Sequence, residues 1–266
     1  MGEIKLIATD MDGTFLRTAS EYDRARFGKV LAQLTEKGIV ICAASGRQQL
    51  ALDALFDGFA ADMAFVAENG AFVSCRGAQI FASTFSRAEL SALIEILRAN
   101  PLMTEDKILL SGRSGTYVLR SSKPTYVAKV RRYYENVQLF DTLDEVNDDI
   151  FKLNTNFPPA QVKACEDWLN RAAPYVHATT TGFESIDIIP VGVDKATGLE
   201  KLVSFLGLTA ENVLAFGDQM NDLEMLGYAG TALAMENAVP AIKKIADTVI
   251  GLNTDDAVLA EMEKFV

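Results

Sequence analysis

Apolar segments alternate with amphipathic ones at the start of the chain. Residues 4–9 form a short apolar run that predicts a buried strand, and the apolar run at 38–44 predicts the next strand. Between them lies a helical pattern that ends at Gly38. The apolar face of this helix consists of Phe27, Val30, Leu31 and Leu34. A strand, a crossover helix and a second strand form a right-handed βαβ unit, whose two strands end at the same edge of a parallel sheet.

The same alternation returns after residue 193. The predicted elements, in order, are a helix at 197–206, a strand at 212–216, a helix after Asp222, a strand at 230–235, a helix at 239–245 and a strand at 247–251. Both ends of the chain therefore predict an α/β fold with a Rossmann-like, doubly wound parallel sheet.

Between these two α/β stretches, the pattern of predicted helices and strands is different. A hairpin is predicted through 107–112 and 115–120, and a long strand at 150–157. Such a succession is typical of an α+β domain with an antiparallel sheet. The sequence therefore predicts a core at 1–83 and 189–266, with an inserted α+β domain at 84–188.

Two helix starts have the spacing of a capping box. Ser20 and Asp23 precede the first helix of the chain, and Ser86 and Glu89 precede the first helix of the insertion. In a capping box the first residue accepts from the backbone N–H of the third residue after it, and that residue bonds back. We therefore expect helices to begin just after Ser20 and Ser86.

Charge and composition exclude several classes of function. The formal net charge of −11 gives nucleic acid no general attraction, and no apolar run is long enough for a signal peptide or a membrane span. The 3 cysteines include no CxxC pair, and the 1 histidine, His177, excludes phosphohistidine chemistry or a multi-histidine metal centre. We expect a cytoplasmic protein, monomeric or homodimeric, with no nucleic-acid or membrane partner.

Two carboxylates follow the first strand, in the turn Asp10-Met11-Asp12-Gly13-Thr14. Strand alternation can point Asp10 and Asp12 into the same crevice, where like charges need a cation between them. A hard cation such as Mg²⁺ prefers oxygen ligands of this kind. Gly13 permits a tight turn, and Thr14 can donate to an anion. Taken alone, the pattern is also compatible with an ordinary acidic turn after a strand.

A second acidic turn, at residues 217–222, follows the predicted strand at 212–216. Ligands of doubly wound folds bind at the carboxyl ends of the strands, so both acidic turns should meet there. Asp218 is a candidate metal ligand. Asp222 is a candidate for orienting the site, and capping of the next helix is an equally good explanation for it.

Anion-binding groups complete this set of residues. Ser45 and Gly46 stand between the second strand and a helix predicted at 47–55, where a hydroxyl and an unobstructed N–H can hold phosphate. Lys195 begins a predicted helix and can place a charge on phosphate oxygens, although a lysine at such a position is usually a surface residue.

The four ordered motifs DMDGT, AASGR, GVDKATGL and GDQMND resemble those of the haloacid dehalogenase superfamily. Within it, the Glu68-Asn69-Gly70 turn and the size of the insertion resemble the Cof-type subfamily IIB sugar-phosphate phosphatases, which carry a C2B cap domain. The resemblance covers essentially the whole chain.

The resemblance implies a role for each motif residue. Asp10 would be the nucleophile and a Mg²⁺ ligand, Asp12 would bind the metal through its backbone carbonyl and act as general acid and then base, and Asp218 would ligate the metal. Thr14 and Asp222 would support the site. The implied phosphate-binding groups are Ser45, Gly46, Lys195, Asn221 and the Met11 backbone.

The expected substrate is a small phosphorylated metabolite, in particular a sugar phosphate. Candidate contacts to its leaving alcohol are Arg47, Asn69, Glu184 and Asp187, although a turn or an outward-facing strand position also explains the last two. Two alternatives remain open: a phosphomutase that uses the same aspartyl phosphate, and a non-catalytic regulatory protein that binds a metabolite.

Overall fold

The structure is a computed structural model that describes residues 2–18, 20–103, 105–182 and 184–266. The chain divides into two compact units. The core unit comprises the chain up to Ser45, Leu52–Phe81 and Asp194–Val266, and the inserted unit comprises Gly46–Ala51 and Ala82–Val193. The short segment Gly46–Ala51 therefore belongs with the inserted unit, although it lies far from the rest of that unit in sequence.

Among its described residues, the first stretch of the chain contains five strands and two α-helices. In order they are β1 (Leu6–Thr9), α1 (Arg24–Glu36), β2 (Val40–Ala44), α2 (Gln49–Leu55), β3 (Ala64–Ala67), β4 (Phe72–Cys75) and β5 (Ala78–Ala82). The buried face of α1 is the predicted set of four residues. Its N-cap is Asp23, whose Oδ1 accepts from the Arg26 N–H at 2.9 Å. The expected capping box at Ser20 is thus wrong, because Asp23 occupies the cap position itself.

The inserted unit forms its own sheet. Its elements are α3 (Arg87–Ala99), β6 (Ile108–Gly112), β7 (Thr116–Leu119), α4 (Pro124–Val130), β8 (Val137–Phe140), β9 (Ile150–Asn156), α5 (Val162–Ala172), β10 (Val176–Gly182) and β11 (Ser185–Pro190). The 6-stranded sheet has the order β10-β11-β9-β6-β7-β8. Its pairs are antiparallel except β7 with β8. The capping box at Ser86 and Glu89 is confirmed.

The last stretch returns to the core unit. It contains α6 (Lys195–Phe205), β12 (Val213–Gly217), α7 (Leu223–Tyr228), β13 (Thr231–Ala234), α8 (Pro240–Ile245), β14 (Thr248–Val249) and α9 (Ala257–Met262). The 8-stranded sheet has the order β14-β13-β12-β1-β2-β3-β4-β5. The strands from β14 to β3 are parallel, which confirms the predicted α/β class. Because β1 lies between β2 and β12, the chain reverses its direction of winding at β1.

The strands β3, β4 and β5 were not predicted from the hydrophobic pattern. β3 pairs antiparallel with β4, and the turn between them is Glu68–Gly70. These strands follow one another through short turns, so no amphipathic helix separates them in the sequence as α1 separates β1 from β2. The better signals were the turn glycines Gly70 and Gly77, which both have positive φ.

Each unit has an apolar interior of its own. In the core unit, the rings of Phe15, Tyr22, Phe27 and Phe56 pack together with centroids 5.4 to 6.0 Å apart. In the inserted unit, α3 and α5 pack on one face of the sheet through residues such as Leu93 and Leu169. Across the described residues, none of the helices combines the length and apolarity needed to cross a bilayer.

Candidate active site

β1 carries Asp10 to the carboxyl edge of the parallel sheet. The strand is completely buried, and the Asp10 N–H donates to the Phe216 carbonyl of β12 at 3.1 Å. Asp10 is itself only 6% exposed, whereas Asp12 is exposed. Alternation along a strand does not govern this pair, because β1 ends at Thr9 and a turn follows. The backbone-carbonyl role expected for Asp12 does not depend on where its side chain lies.

The turn after β1 requires glycine at one position. Met11 is buried, and its carbonyl accepts from the N–H groups of Thr14 at 3.3 Å and Leu16 at 2.9 Å. Gly13 has a φ of +86°, and a Cβ at this position would lie 2.5 Å from Asp218 Oδ2. Glycine therefore supplies both the left-handed conformation and the space for the Asp218 carboxylate.

Asp218 and Asp222 leave β12 in the second acidic turn. Thr14 Oγ1 donates to Asp218 Oδ1 at 2.8 Å, which joins the two acidic turns. Asp222 Oδ2 accepts from the N–H groups of Asp218 at 2.9 Å and Gln219 at 3.0 Å. Asp222 is thus a buried carboxylate that fixes the turn carrying Asp218. It bonds back to the N-cap residue Gln219 of a short 3₁₀ helix at Met220–Asp222, and although it stands at the N-cap position of α7, its side chain makes no cap bond to that helix.

Lys195 lies among these carboxylates. Asp194 caps α6 through the Thr197 N–H at 2.7 Å, which places Lys195 at the first helical position. Its Nζ lies 2.5 Å from Asp10 Oδ1 and 2.6 Å from Asp222 Oδ1, and the residue is 1% exposed. Burial opposes its charge, but the attraction of Asp10 and Asp222 outweighs burial and raises the pKa of Lys195. The surface-lysine interpretation is therefore wrong.

Three carboxylates form a group that can hold a metal ion. Oxygen atoms of Asp10, Asp218 and Asp222 all lie within 4.8 Å of one another. Burial raises the pKa of Asp10, and it also raises the pKa of Asp218, to about 6. A set of buried oxygen ligands with excess negative charge fits a hard divalent cation such as Mg²⁺. The predicted ligand Asp12 is not part of this group, which contains Asp222 instead.

The Glu68–Gly70 turn holds two predicted phosphate-binding residues. Ser45 is buried at the end of β2, and its carbonyl accepts from the Asn69 N–H at 3.0 Å. The Asn69 side-chain oxygen accepts from Asn221 Nδ2 at 3.4 Å. A Cβ at Gly70 would lie 1.9 Å from the Asp194 carbonyl, so the turn lies directly against the start of α6. Ser45, Asn69 and Asn221 are thereby brought together.

Four predicted site residues belong to the inserted unit. They are Gly46, Arg47, Glu184 and Asp187. Glu184 forms an ion pair with Lys129, while Asp187 is buried and lies 3.1 Å from Lys152 Nζ. The alternative interpretation, in which Asp187 faces outward from its strand, is therefore wrong.

Sequence reasoning missed one residue of the site, Asn237. Its Nδ2 donates to the Gly13 carbonyl at 2.8 Å and lies 3.5 Å from Asp218 Oδ2. Asn237 follows β13, at the same carboxyl edge as the two acidic turns. A polar residue just after a predicted parallel strand was the signal that could have identified it.

The core unit thus has the features of an α/β enzyme that handles anions. Its carboxyl edge combines buried carboxylates with a buried ammonium group, that of Lys195. Comparison with known proteins identifies the particular family.

The sequence profile of the haloacid dehalogenase-like hydrolases matches residues 7–262. The 5-amino-6-(5-phospho-D-ribitylamino)uracil phosphatase YbjI of Escherichia coli is 35% identical over 262 residues, which cover 98% of this chain and 96% of that protein. The pyridoxal phosphate phosphatase YbhA of Escherichia coli is 29% identical and covers 96% of both chains. The chain therefore belongs to the haloacid dehalogenase-like hydrolases and is a phosphoric monoester hydrolase, as predicted.

Solved structures support the same assignment. The crystal structure of SMU.1108c from Streptococcus mutans has a TM-score of 0.91 and 28% identity, covering 99% of both chains. A haloacid dehalogenase-like hydrolase from B. subtilis has a TM-score of 0.84 at 20% identity, covers 99% of this chain and 100% of its own, and supports the fold alone.

Proposed function

We propose that the chain is a Mg²⁺-dependent phosphatase in which Asp10 attacks phosphorus and is transiently phosphorylated. The observation that carries the proposal is the 2.5 Å contact between Lys195 Nζ and Asp10 Oδ1 within the buried carboxylate group. A positive charge beside the attacking oxygen, with further oxygen ligands around it, suits a reaction whose substrate is itself an anion.

The carboxylates of Asp10 and Asp12 would have different roles in the reaction. Asp10 forms the bond to phosphorus, and Asp12 donates a proton to the leaving alkoxide and then removes one from the attacking water. The exposure of the Asp12 side chain suits a group that exchanges protons with substrate and water. Mg²⁺ held by Asp10, Asp218 and the Asp12 carbonyl would supply charge stabilisation to the phosphoryl oxygens.

We assign phosphate binding to the residues that the sequence motifs predict for it. Lys195 is already charged and buried, and its pairing with Asp10 and Asp222 keeps the ammonium in place. Ser45 and Asn221 both connect to Asn69, so their positions are linked. Gly46 and the Met11 backbone complete the proposed set, in which donors positioned beforehand need no reorganisation during the reaction.

The substrate class follows from the relatives. Their names specify a phosphorylated ribitylamino-uracil and pyridoxal phosphate, which are both small phosphate monoesters attached to a ring system. We propose a substrate of this size for this chain, with 5-amino-6-(5-phospho-D-ribitylamino)uracil as the first candidate because that relative is 35% identical. Arg47, Asn69, Glu184 and Asp187 stay predictions for contacts with the leaving alcohol.

The first experiment measures phosphate release from an aryl phosphate. We expect release with Mg²⁺, none after EDTA, and at least a ~10³-fold loss in Asp10→Asn, because the amide cannot act as the nucleophile. Asp62→Asn, which changes an exposed aspartate of the core unit, is the matched control and should keep full activity. Unchanged turnover in Asp10→Asn would exclude Asp10 as the nucleophile.

A second experiment ranks substrates by kcat/KM. The panel contains the ribitylamino-uracil phosphate, pyridoxal phosphate, hexose phosphates and a bisphosphate. A value for the first compound below those of the hexose phosphates would reject it as the leading candidate. Transfer of phosphate to a second hydroxyl without free phosphate would instead favour the phosphomutase alternative.

A further inference from the structure

The segment just after Ser45 belongs with the inserted unit. Ser45 is the last residue of the first core-unit stretch, and Gly46–Ala51 belongs with Ala82–Val193. A proposed phosphate-binding residue is therefore covalently followed by a segment that the inserted unit holds. Two side chains, Gln48 and Lys152, account for how it is held.

Gln48 uses the whole hydrogen-bonding capacity of its amide within the inserted unit. Its Nε2 donates to the carbonyl oxygens of Gly112 and Gly115, both at 3.1 Å. Its Oε1 accepts from the Glu135 N–H at 3.2 Å and from Thr116 Oγ1 at 3.4 Å. An amide has two donor hydrogens and two acceptor lone pairs, so each one has a partner. Gln48 is 1% exposed.

Lys152 holds the same segment from the middle of the sheet. Its Nζ donates to the Gly46 carbonyl and lies 3.1 Å from Asp187 Oδ2. Asp187 in turn accepts from Asn154 Nδ2 at 2.7 Å. Lys152 is 1% exposed and Asp187 is 3% exposed. A buried ion pair of this kind is often no more stabilising than an apolar pair of the same volume, so packing alone does not explain it.

These contacts fix the backbone on both sides of Arg47. The peptide group is planar, so a carbonyl held by Lys152 also fixes the plane of the Gly46–Arg47 peptide. In a trans peptide the N–H of Arg47 points opposite to that carbonyl. The next residue, Gln48, is held by the hydrogen bonds of its own side chain. Little rotational freedom remains in the turn that follows Ser45.

We propose that Gln48 and Lys152 are positioning residues, through which the inserted unit sets the conformation of the phosphate-binding turn at Gly46. The inference rests on the proposed function, because it requires that this turn binds phosphate. Its physical basis is preorganisation: donors fixed in advance bind an anion without the entropic cost of ordering a loop.

The test measures the binding of inorganic phosphate by calorimetry in the presence of Mg²⁺, with the full chain. Gln48→Met keeps the side-chain length but removes the amide, and we expect Kd for phosphate to rise about tenfold. Asn170→Met is the matched control. The Asn170 amide also joins two elements of the inserted unit, through its bonds to Ala178 and the Glu166 carbonyl, and within the described part of the chain none of its bonds reaches 46–51. The control should keep the wild-type Kd even where its thermal stability falls.

A second variant covers the case in which Gln48→Met does not fold. The double change Lys152→Met with Asp187→Leu replaces the ion pair by an apolar pair and removes the bond to the Gly46 carbonyl, together with the bond from Asn154 to Asp187. It should also raise Kd for phosphate. Because inorganic phosphate carries no leaving alcohol, lost contacts to that part of a substrate cannot be the cause.

The outcomes separate the two proposals. Wild-type Kd values in both variants, or equal losses in Gln48→Met and Asn170→Met, would overturn the positioning role. A wild-type protein that binds phosphate but hydrolyses no monoester would reject the proposed reaction, while the comparison of Kd values still decides the role of Gln48 and Lys152. A wild-type protein that binds no phosphate would refute both.

Discussion

Glu68, Asn69 and Gly70 have consecutive positive φ angles of 52°, 54° and 99°. For the two non-glycine residues this conformation is unfavourable by about 1 kcal/mol or more each. The turn nevertheless forms, and it holds Ser45 through the Asn69 N–H. Local strain of this kind at a site is maintained by the surrounding structure, here the start of α6.

Gly70→Ala tests this contact. We expect the free energy of unfolding, measured in urea, to fall by at least ~3 kcal/mol, because the new Cβ would meet the Asp194 carbonyl at 1.9 Å and also adopt a positive φ. Gly77→Ala is the matched control, since Gly77 has a φ of +77° but no atom within 4 Å of a built Cβ. It should lose only about 1 kcal/mol. Equal losses would mean that the close approach to α6 does not matter.

Lys195 is the residue on which the charge balance of the site depends. In Mg²⁺-free buffer, Lys195→Met should lower the free energy of unfolding by about 3 kcal/mol, because Asp10 and Asp222 lose their shared cation. With Mg²⁺, phosphate release should fall at least ~100-fold. Lys201→Met changes an exposed lysine of the same helix and serves as the control. A Lys195→Met enzyme with wild-type turnover would contradict the phosphate-binding role.

At the scale of elements, amphipathic helices were predicted more closely than short strands. The buried faces of α1 and α3 match the periodic apolar positions of the sequence. β3, β4 and β5 were missed, because they follow one another through short turns and no amphipathic helix separates them in the sequence. The N-cap of α1 is Asp23 rather than the predicted Ser20. The sequence left both possible, because serine and aspartate are both favoured at N-cap positions.

The cap of α1 can be assigned by experiment. Asp23→Ala should lower the free energy of unfolding by about 1 kcal/mol, because the Arg26 N–H loses its acceptor. Ser20→Ala should change it by less than about 0.5 kcal/mol, as is usual for exposed positions. Chemical denaturation of both variants gives the comparison. A larger loss in Ser20→Ala would restore the capping box expected from the sequence.

At the scale of the whole molecule, metal binding to the buried group of Asp10, Asp218 and Asp222 would increase the thermal stability of the fold. A ligand that binds only the folded state stabilises it, so Mg²⁺ well above its Kd should raise Tm by about 3 °C or more. Asp218→Asn should lose most of this shift, because it removes one member of the buried carboxylate group. Asp62→Asn should keep it. An undiminished shift in Asp218→Asn would place the ion elsewhere, and differential scanning calorimetry gives the readout.

The sequence by itself determined the α/β class, and it predicted an insertion and a set of site residues. Strands in a parallel sheet end at a common edge, so motifs that follow predicted strands should converge there. Asp10, Ser45, Lys195 and Asp218 were predicted in this way.

Only the tertiary structure decided which groups meet. Burial and hydrogen bonding across 185 residues of chain place Lys195 beside Asp10, and they put Asp222 rather than the Asp12 side chain in the buried group. Asn237 was overlooked although it follows a predicted strand, whereas Gln48 and Lys152 were invisible to pattern analysis. The roles of these two depend on contacts to backbone carbonyls distant in sequence, and such contacts leave no periodic trace in a chain.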